Sequence, residues 1–263
     1  MASAIRWRMG GSTSDRHGSN VVSGKPPCLP RRVGVILLDT RFPRPPGDIG
    51  HPATFAGLGL FEVVPGASVK RAMGVDGDGL APDFISARDR LIERGAEIVT
   101  TSCGILVNHQ LALQRDCPVP VVTSSLLQIP GVVAVLGAGQ RVGVIAMDSR
   151  TLNRAVLDVA GAPESVVVVG LEHGDELFRV LSADDPSVAL DPVAAEHDVL
   201  AAGAALMQAH SDVGAIVLEC ANLPPYRAAL ERHLGIPVDD ILTLLAKTLD
   251  QADAARIRPA GTL

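Results

Sequence analysis

From Arg32 onward, short apolar β-branched runs alternate with longer stretches of helical periodicity, which predicts parallel strands joined by crossover helices. In the first part of the chain, strands are expected over Val33 to Leu38, Phe61 to Val64, Glu97 to Ser102 and Val119 to Thr123. Helices are expected over Asp83 to Arg94 and Gly104 to Gln114. The later part predicts strands over Val142 to Met147, Ser165 to Val169, Ala215 to Leu218 and Ile236 to Val238. Its helices are expected over Thr151 to Ala160, Pro192 to Gln208, Pro225 to His233 and Asp240 to Ala252. The stretch from Arg41 to Thr54 contains Phe42-Pro43-Arg44-Pro45-Pro46-Gly47 and cannot be a helix. It therefore reads as a loop at a strand's carboxyl end, where open α/β sheets place ligands.

The pattern is written twice. Arg32-Val33-Gly34-Val35-Ile36, then Asp39-Thr40-Arg41, returns as Arg141-Val142-Gly143-Val144-Ile145, then Asp148-Ser149-Arg150. A later strand of each copy ends in cysteine, Thr101-Ser102-Cys103 in the first and Leu218-Glu219-Cys220 in the second. The echo continues through Leu106 and Leu223, Ala112-Leu113 and Ala229-Leu230, and Pro120-Val121 and Pro237-Val238. The expected fold is α/β, with two pseudo-symmetric domains, each a mostly parallel sheet flanked by helices, and the active site in the cleft between them. The domains are read as 32–140 and 141–263, with the final helix free to pack back on the first. Residues 1–31, rich in Gly, Ser, Pro and Arg and without an apolar stretch, read as a disordered tail or an over-long gene start, with a transit segment as the alternative.

Composition narrows the function. The 263 residues are 47% hydrophobic and 20% charged, with a net charge of -6, so no basic field awaits a nucleic-acid backbone. Apolar runs such as Val166 to Val169 are far shorter than the roughly 20 residues of a membrane helix, and no membrane partner is expected. Cys28, Cys103, Cys117 and Cys220 are spaced neither as a disulfide framework nor as a zinc site. Thiols that must stay free point to a reducing, cytoplasmic home.

Taken singly, Cys103 or Cys220 reads as a buried packing residue, since free cysteine behaves as a small hydrophobe. Two packing cysteines have no reason to occupy equivalent positions of a repeat, which favours a functional pair. Each is expected where strand turns into helix, and backbone N–H groups there stabilise thiolate. Asp39 leads into the Pro-rich loop and is a cleft candidate, whereas Asp148 is expected to cap the next helix. Thr101, Ser102, Ser124, Ser125, Asn108 and Asn222 gather at the cysteine strands or equivalent strand ends, where short polar groups can bind a carboxylate or shape turns. Gly137-Ala138-Gly139-Gln140-Arg141-Val142-Gly143 precedes a strand, whereas a dinucleotide loop follows one, so it reads as a turn. His109, His173 and His233 lack ligand-spaced partners, and no metal is expected. No Gly-Xaa-Ser-Xaa-Gly elbow supports serine hydrolysis.

With two cysteines at equivalent strand ends of a duplicated α/β chain, residues 32 to 250 resemble the aspartate/glutamate racemase superfamily. The resemblance implies Cys103 and Cys220 as the acid/base pair on opposite faces of an acidic carbon. It also implies Thr101, Ser102, Gly104, Ser124, Ser125 and Asn222 as pocket residues, no cofactor, a small carboxylate or hydantoin-like substrate and a homo-oligomer. Amino-acid racemases carry Cys-Thr-Glu or Cys-Thr-His at the second cysteine, whereas this chain has Glu219-Cys220-Ala221-Asn222. Gly47-Asp48-Ile49, Cys103-Gly104, Ser124-Ser125, Glu219-Cys220 and Leu223-Pro224-Pro225-Tyr226 look like the branch that includes algal-type dimethylsulfoniopropionate lyases. Three readings follow: a cofactor-independent racemase or epimerase first, a β-elimination lyase with the same cysteine base second, and a non-catalytic small-ligand binding protein third.

Overall fold

The computed structural model describes residues 29–72 and 79–257. Strands β1 (Val33–Leu38), β2 (Gly59–Val64), β3 (Ile98–Thr101) and β4 (Val121–Val122) form one parallel sheet of order β2-β1-β3-β4. Strands β5 (Arg141–Ala146), β6 (Val167–Gly170), β7 (Val213–Leu218) and β8 (Val238–Asp239) form a second, of order β6-β5-β7-β8. The doubled sequence thus becomes a doubled topology. The helices are α1 (Val69–Ala72), α2 (Ala81–Glu93), α3 (Gln110–Gln114), α4 (Ile129–Val133), α5 (Arg154–Val159), α6 (Leu177–Ala183), α7 (Pro192–Ala209), α8 (Arg227–Leu234) and α9 (Ile241–Ile257).

Parallel sheets must be covered on both faces, and alternate residues of each strand show how. In β1, Ile36 and Leu38 pack with Phe84, Ala87 and Leu91 of α2. Val33 and Val35 pack on the other face with Ile241, Leu242 and Leu245 of α9, which crosses over from the second half. In β5, Ile145 packs with Ala195, Val199 and Leu206 of α7. Val142 and Val144 pack with Val156 and Leu157 of α5, and also with Leu126 and Ile129 from the first half. Each sheet therefore takes part of its cover from the opposite half, which holds the two sheets together.

The repeated glycines explain how the crossover helices sit so close. A Cβ at Gly34 would lie 3.0 Å from the Ala96 Cβ and 3.1 Å from the Leu91 Cβ. At Gly143 it would lie 2.5 Å from Leu206 Cδ2. The small residue in each Val-Gly-Val phrase is the seat of a helix.

Several boundaries differ from the sequence expectation. The Gly104 to Gln114 segment is a 3₁₀ turn over Gly104–His109 followed by α3, not one helix. The Pro-rich loop ends in a single 3₁₀ turn over Pro52–Phe55. Of the expected tail, residues 1–28 lie outside the described residues; Leu29 is buried, and Arg31 pairs with Glu97 at 2.6 Å and Asp253 at 2.5 Å. Among the described residues, no helix is long and apolar enough to cross a membrane.

Candidate active site

Both cysteines stand just past the carboxyl end of the strand beside the central one of their sheet. In the first half, Ser102 prolongs the sheet after β3 ends: its N–H donates to the Ile36 carbonyl at 3.0 Å, and its Oγ accepts from the Leu38 N–H at 3.0 Å. Thr101 Oγ1 donates to the Thr123 carbonyl at 2.6 Å, tying β3 to the end of β4. Cys103 is extended, at φ -146 and ψ 123, and opens the Gly104–His109 turn, with the Leu106 N–H donating to the Cys103 carbonyl at 3.1 Å.

The second cysteine is held differently. Glu219 N–H donates to the Ile145 carbonyl at 2.9 Å, carrying β7 one residue beyond its end. No helix starts at Cys220, because the next turn, Pro224–Tyr226, begins only after Ala221, Asn222 and Leu223. The Cys220 thiol instead donates to Asn222 Oδ1 at 3.3 Å. Asn222 Nδ2 donates to Asp48 Oδ2 at 2.6 Å, and Asp48 Oδ1 accepts from Arg44 Nη1 at 2.9 Å and from the Gly50 N–H at 2.7 Å. Arg44 also donates to Thr40 Oγ1 at 3.0 Å and lies 4.4 Å from the Phe42 ring centre. The Pro-rich loop after β1 is thus clipped onto the second cysteine's turn, a bond from the Ile49 N–H to the Ala221 carbonyl at 3.3 Å included.

Cys103 and Cys220 line one cavity of about 430 Å³, within the usual range for small-ligand sites. Ser102, Gly104 and Asn222 line it as well. Arg44 and Lys70 bring positive charge to its wall, Glu219, Asp148 and Asp184 bring acid, and Phe42, Met147, Phe178 and Leu181 supply apolar surface. The remaining sequence candidates hold the site without lining it. Thr101 is buried under its turn, Ser124 Oγ accepts from the Leu126 N–H at 3.2 Å, and Ser125 Oγ donates to the Leu218 carbonyl at 2.6 Å, bridging the halves. Asp39 is exposed and lines an adjoining pocket that shares Ser68 and Asp184 with this cavity, and its carboxylate accepts from the Gly66 N–H at 2.9 Å, holding the turn after β2. Asn108 is exposed. Asp148 does not cap a helix, because it pairs with Arg150 at 2.7 Å and Asn153 caps α5.

Sequence reasoning placed Glu219 beside the second cysteine but not in the cavity, and it left out Arg44 and Asp48. Burial and the Glu219 charge push the Cys103 thiol up to about 12, against the pull of the nearby Ile105 and Leu106 N–H groups and of Arg44. Cys220 is raised well above the ordinary thiol value by burial, again with Glu219 opposing its ionisation. The thiolate-favouring strand-to-helix setting expected for both cysteines exists only at Cys103, and there burial outweighs it. Glu219 is itself raised to about 7 by burial, against one N–H bond from Met147. Among the described residues, no group of three or more His, Cys, Asp or Glu is placed to hold a metal ion.

No protein-family model matches the chain. It is 29% identical over 232 residues to dimethylsulfoniopropionate lyase 3 of Emiliania huxleyi (strain CCMP1516), covering 83% of this chain and 60% of that protein. It is 27% identical over 228 residues to the dimethylsulfoniopropionate lyase of Durusdinium sp. clade D, covering 83% of this chain and 74% of that one. Allantoin racemase from Klebsiella pneumoniae superposes with a TM-score of 0.59 at 18% identity, covering 88% of this chain and 95% of the other. A variant of arylmalonate decarboxylase does so with 0.58 at 18% identity, covering 87% and 96%. A glutamate racemase isoform from Bacillus anthracis gives 0.53 at 12% identity, covering 87% and 83%. The chain thus shares its α/β fold with these racemases and with arylmalonate decarboxylase, and its sequence is similar to the dimethylsulfoniopropionate lyases.

Proposed function

We propose that the chain removes the proton next to a carboxylate with the Cys103 thiolate and completes the reaction by β-elimination, as a lyase on a small carboxylate with a leaving group on the β carbon. The observation that carries this reading is the pair of unlike thiols on one cavity. Cys103 stands at the start of the Gly104–His109 turn, where the nearby Ile105 and Leu106 N–H groups favour the charged form, which suits a base. Cys220 keeps its proton on Asn222, which suits a donor or an orienting group. In the step itself the C–H bond breaks as an S–H bond forms on Cys103, and the electron pair closes the double bond as the leaving group departs with its own. Arg44 and Lys70 are placed to receive the substrate carboxylate, and the acidic and apolar walls suit a methylated cation at the other end. Dimethylsulfoniopropionate has that chemistry, and the curated relatives are lyases of that name. The chain spans 60% of the length of the first of them.

Racemisation or epimerisation is the second reading, favoured by the equivalence of the two cysteines in the repeat and by a fold shared with racemases. It requires both thiols to act as base, one on each face. The purified protein, incubated with dimethylsulfoniopropionate, amino acids and hydantoins, is expected to release acrylate and dimethyl sulfide, read by proton NMR. Loss of optical activity in an amino acid or hydantoin, with no acrylate, would overturn elimination in favour of racemisation.

A further inference from the structure

Glu219 is the group the two-thiol scheme leaves unused. It is 5% exposed, stands directly before Cys220, and lines the same cavity as both cysteines. Its carboxylate also lies against the residue that follows Cys103, since any Cβ at Gly104 would overlap the Glu219 Oε1 and carbonyl oxygen. One buried acid therefore lies on the cavity next in sequence to Cys220 and in space against the neighbour of Cys103, and its charge opposes ionisation of both thiols. The other charged or titratable groups on the cavity are Arg44 with its partner Asp48 from the loop after β1, Lys70 of α1, Asp148 after β5 and Asp184 at the end of α6. Asp48 is held by Arg44, Asp148 by Arg150, and Asp184 accepts from the Arg41 N–H, whereas among the described residues Glu219 has no ion-pair partner.

We infer that Glu219 is the proton-accepting partner of the thiols, so that the site carries one negative charge exchanged between a carboxylate and a sulfur. The inference rests on the proposed deprotonation of carbon. In the exchange the S–H bond of Cys103 breaks, its electron pair stays on sulfur, and an O–H bond forms on Glu219; the total charge is unchanged. The thiolate then takes the substrate proton, and after product leaves, Glu219 returns its own proton to solvent. Two charges at once would be opposed by burial and repulsion: the Glu219 charge raises both thiols, and the Cys103 charge raises Cys220. Glu219 is thus a positioning residue, acting on substrate only through sulfur. Gly104 fits the same account, because only glycine leaves room for that carboxylate.

The test reads the thiols without any substrate. Alkylation of Cys103 by iodoacetamide, followed peptide by peptide in the whole protein, is expected to rise through a limb near pH 7 and level off, since thiolate with acid and thiol with carboxylate are one protonation state. Glu219→Gln removes that limb, leaving a rate that climbs without levelling, and lowers kcat about a hundredfold with KM little changed. Glu219→Asp restores the limb in part, and Gly104→Ala, which displaces the carboxylate, loses it. The same profile in the native protein and in Glu219→Gln, with both folded by circular dichroism, would overturn the inference. A limb that vanishes in a protein without lyase activity keeps the relay and discards the proposed reaction. Lyase activity with an unchanged profile does the reverse.

Discussion

Asp48 is 1% exposed and takes bonds from Arg44, from the Gly50 N–H and from Asn222. Its charge is what Arg44 is buried against, and its second oxygen is what turns the Asn222 amide so that Oδ1 faces the Cys220 thiol. Asp48→Asn leaves Arg44 without its counter-charge and sets one amide against another, so Asn222 turns its Nδ2 toward sulfur. Breaking a buried pair of this kind costs about 3–5 kcal/mol. The denaturant midpoint is expected to fall accordingly, with kcat down at least about tenfold; an unchanged midpoint would show that the pair is not stabilising. The cysteines were legible in the sequence because they repeat. The Asp48 to Asn222 bond joins residues 174 positions apart, and no local pattern announces it. Asp39 read as a cleft residue because it ends a strand, and it lines the pocket beside the cavity while its carboxylate holds the Gly66 N–H.

At the level of elements, the two Val-Gly-Val strands depend on close helix approach. Gly34→Ala and Gly143→Ala each force a methyl group into packed side chains and are expected to lower stability by about 1–3 kcal/mol. The denaturant midpoint should drop at constant m-value, while an effect below about 0.5 kcal/mol would mean that α2 or α7 yields freely. The β-branched runs made the longer strands and α2, α7 and α9 readable, since burial on both faces leaves little room for polar residues there. The short elements escaped. α4 and α6 are 5 and 7 residues long, too brief for a helical period to stand out. The Gly104 to Gln114 segment looked like one helix, but its first turn tightens to 3₁₀ geometry behind Cys103.

The whole molecule brings the halves together around the cavity by exchange: α9 covers the first sheet, Leu126 and Ile129 cover the second, and the Pro-rich loop locks Asp48 onto Asn222. The loop also reaches the far wall, where the Arg41 N–H donates to Asp184 at 2.6 Å. Neither half makes the site alone, and the pseudo-symmetry that brings both thiols to one cavity is broken at the level of their partners. That asymmetry is the basis for assigning base to Cys103 and donor to Cys220. The most direct measurement is proton NMR of dimethylsulfoniopropionate in heavy water with the native protein, Cys103→Ser and Cys220→Ser. The expected result is acrylate from the native protein, neither acrylate nor deuterium at the α carbon with Cys103→Ser, and slowed but detectable reaction with Cys220→Ser. Acrylate formed by Cys103→Ser at the native rate would contradict the assignment of that thiol as the base.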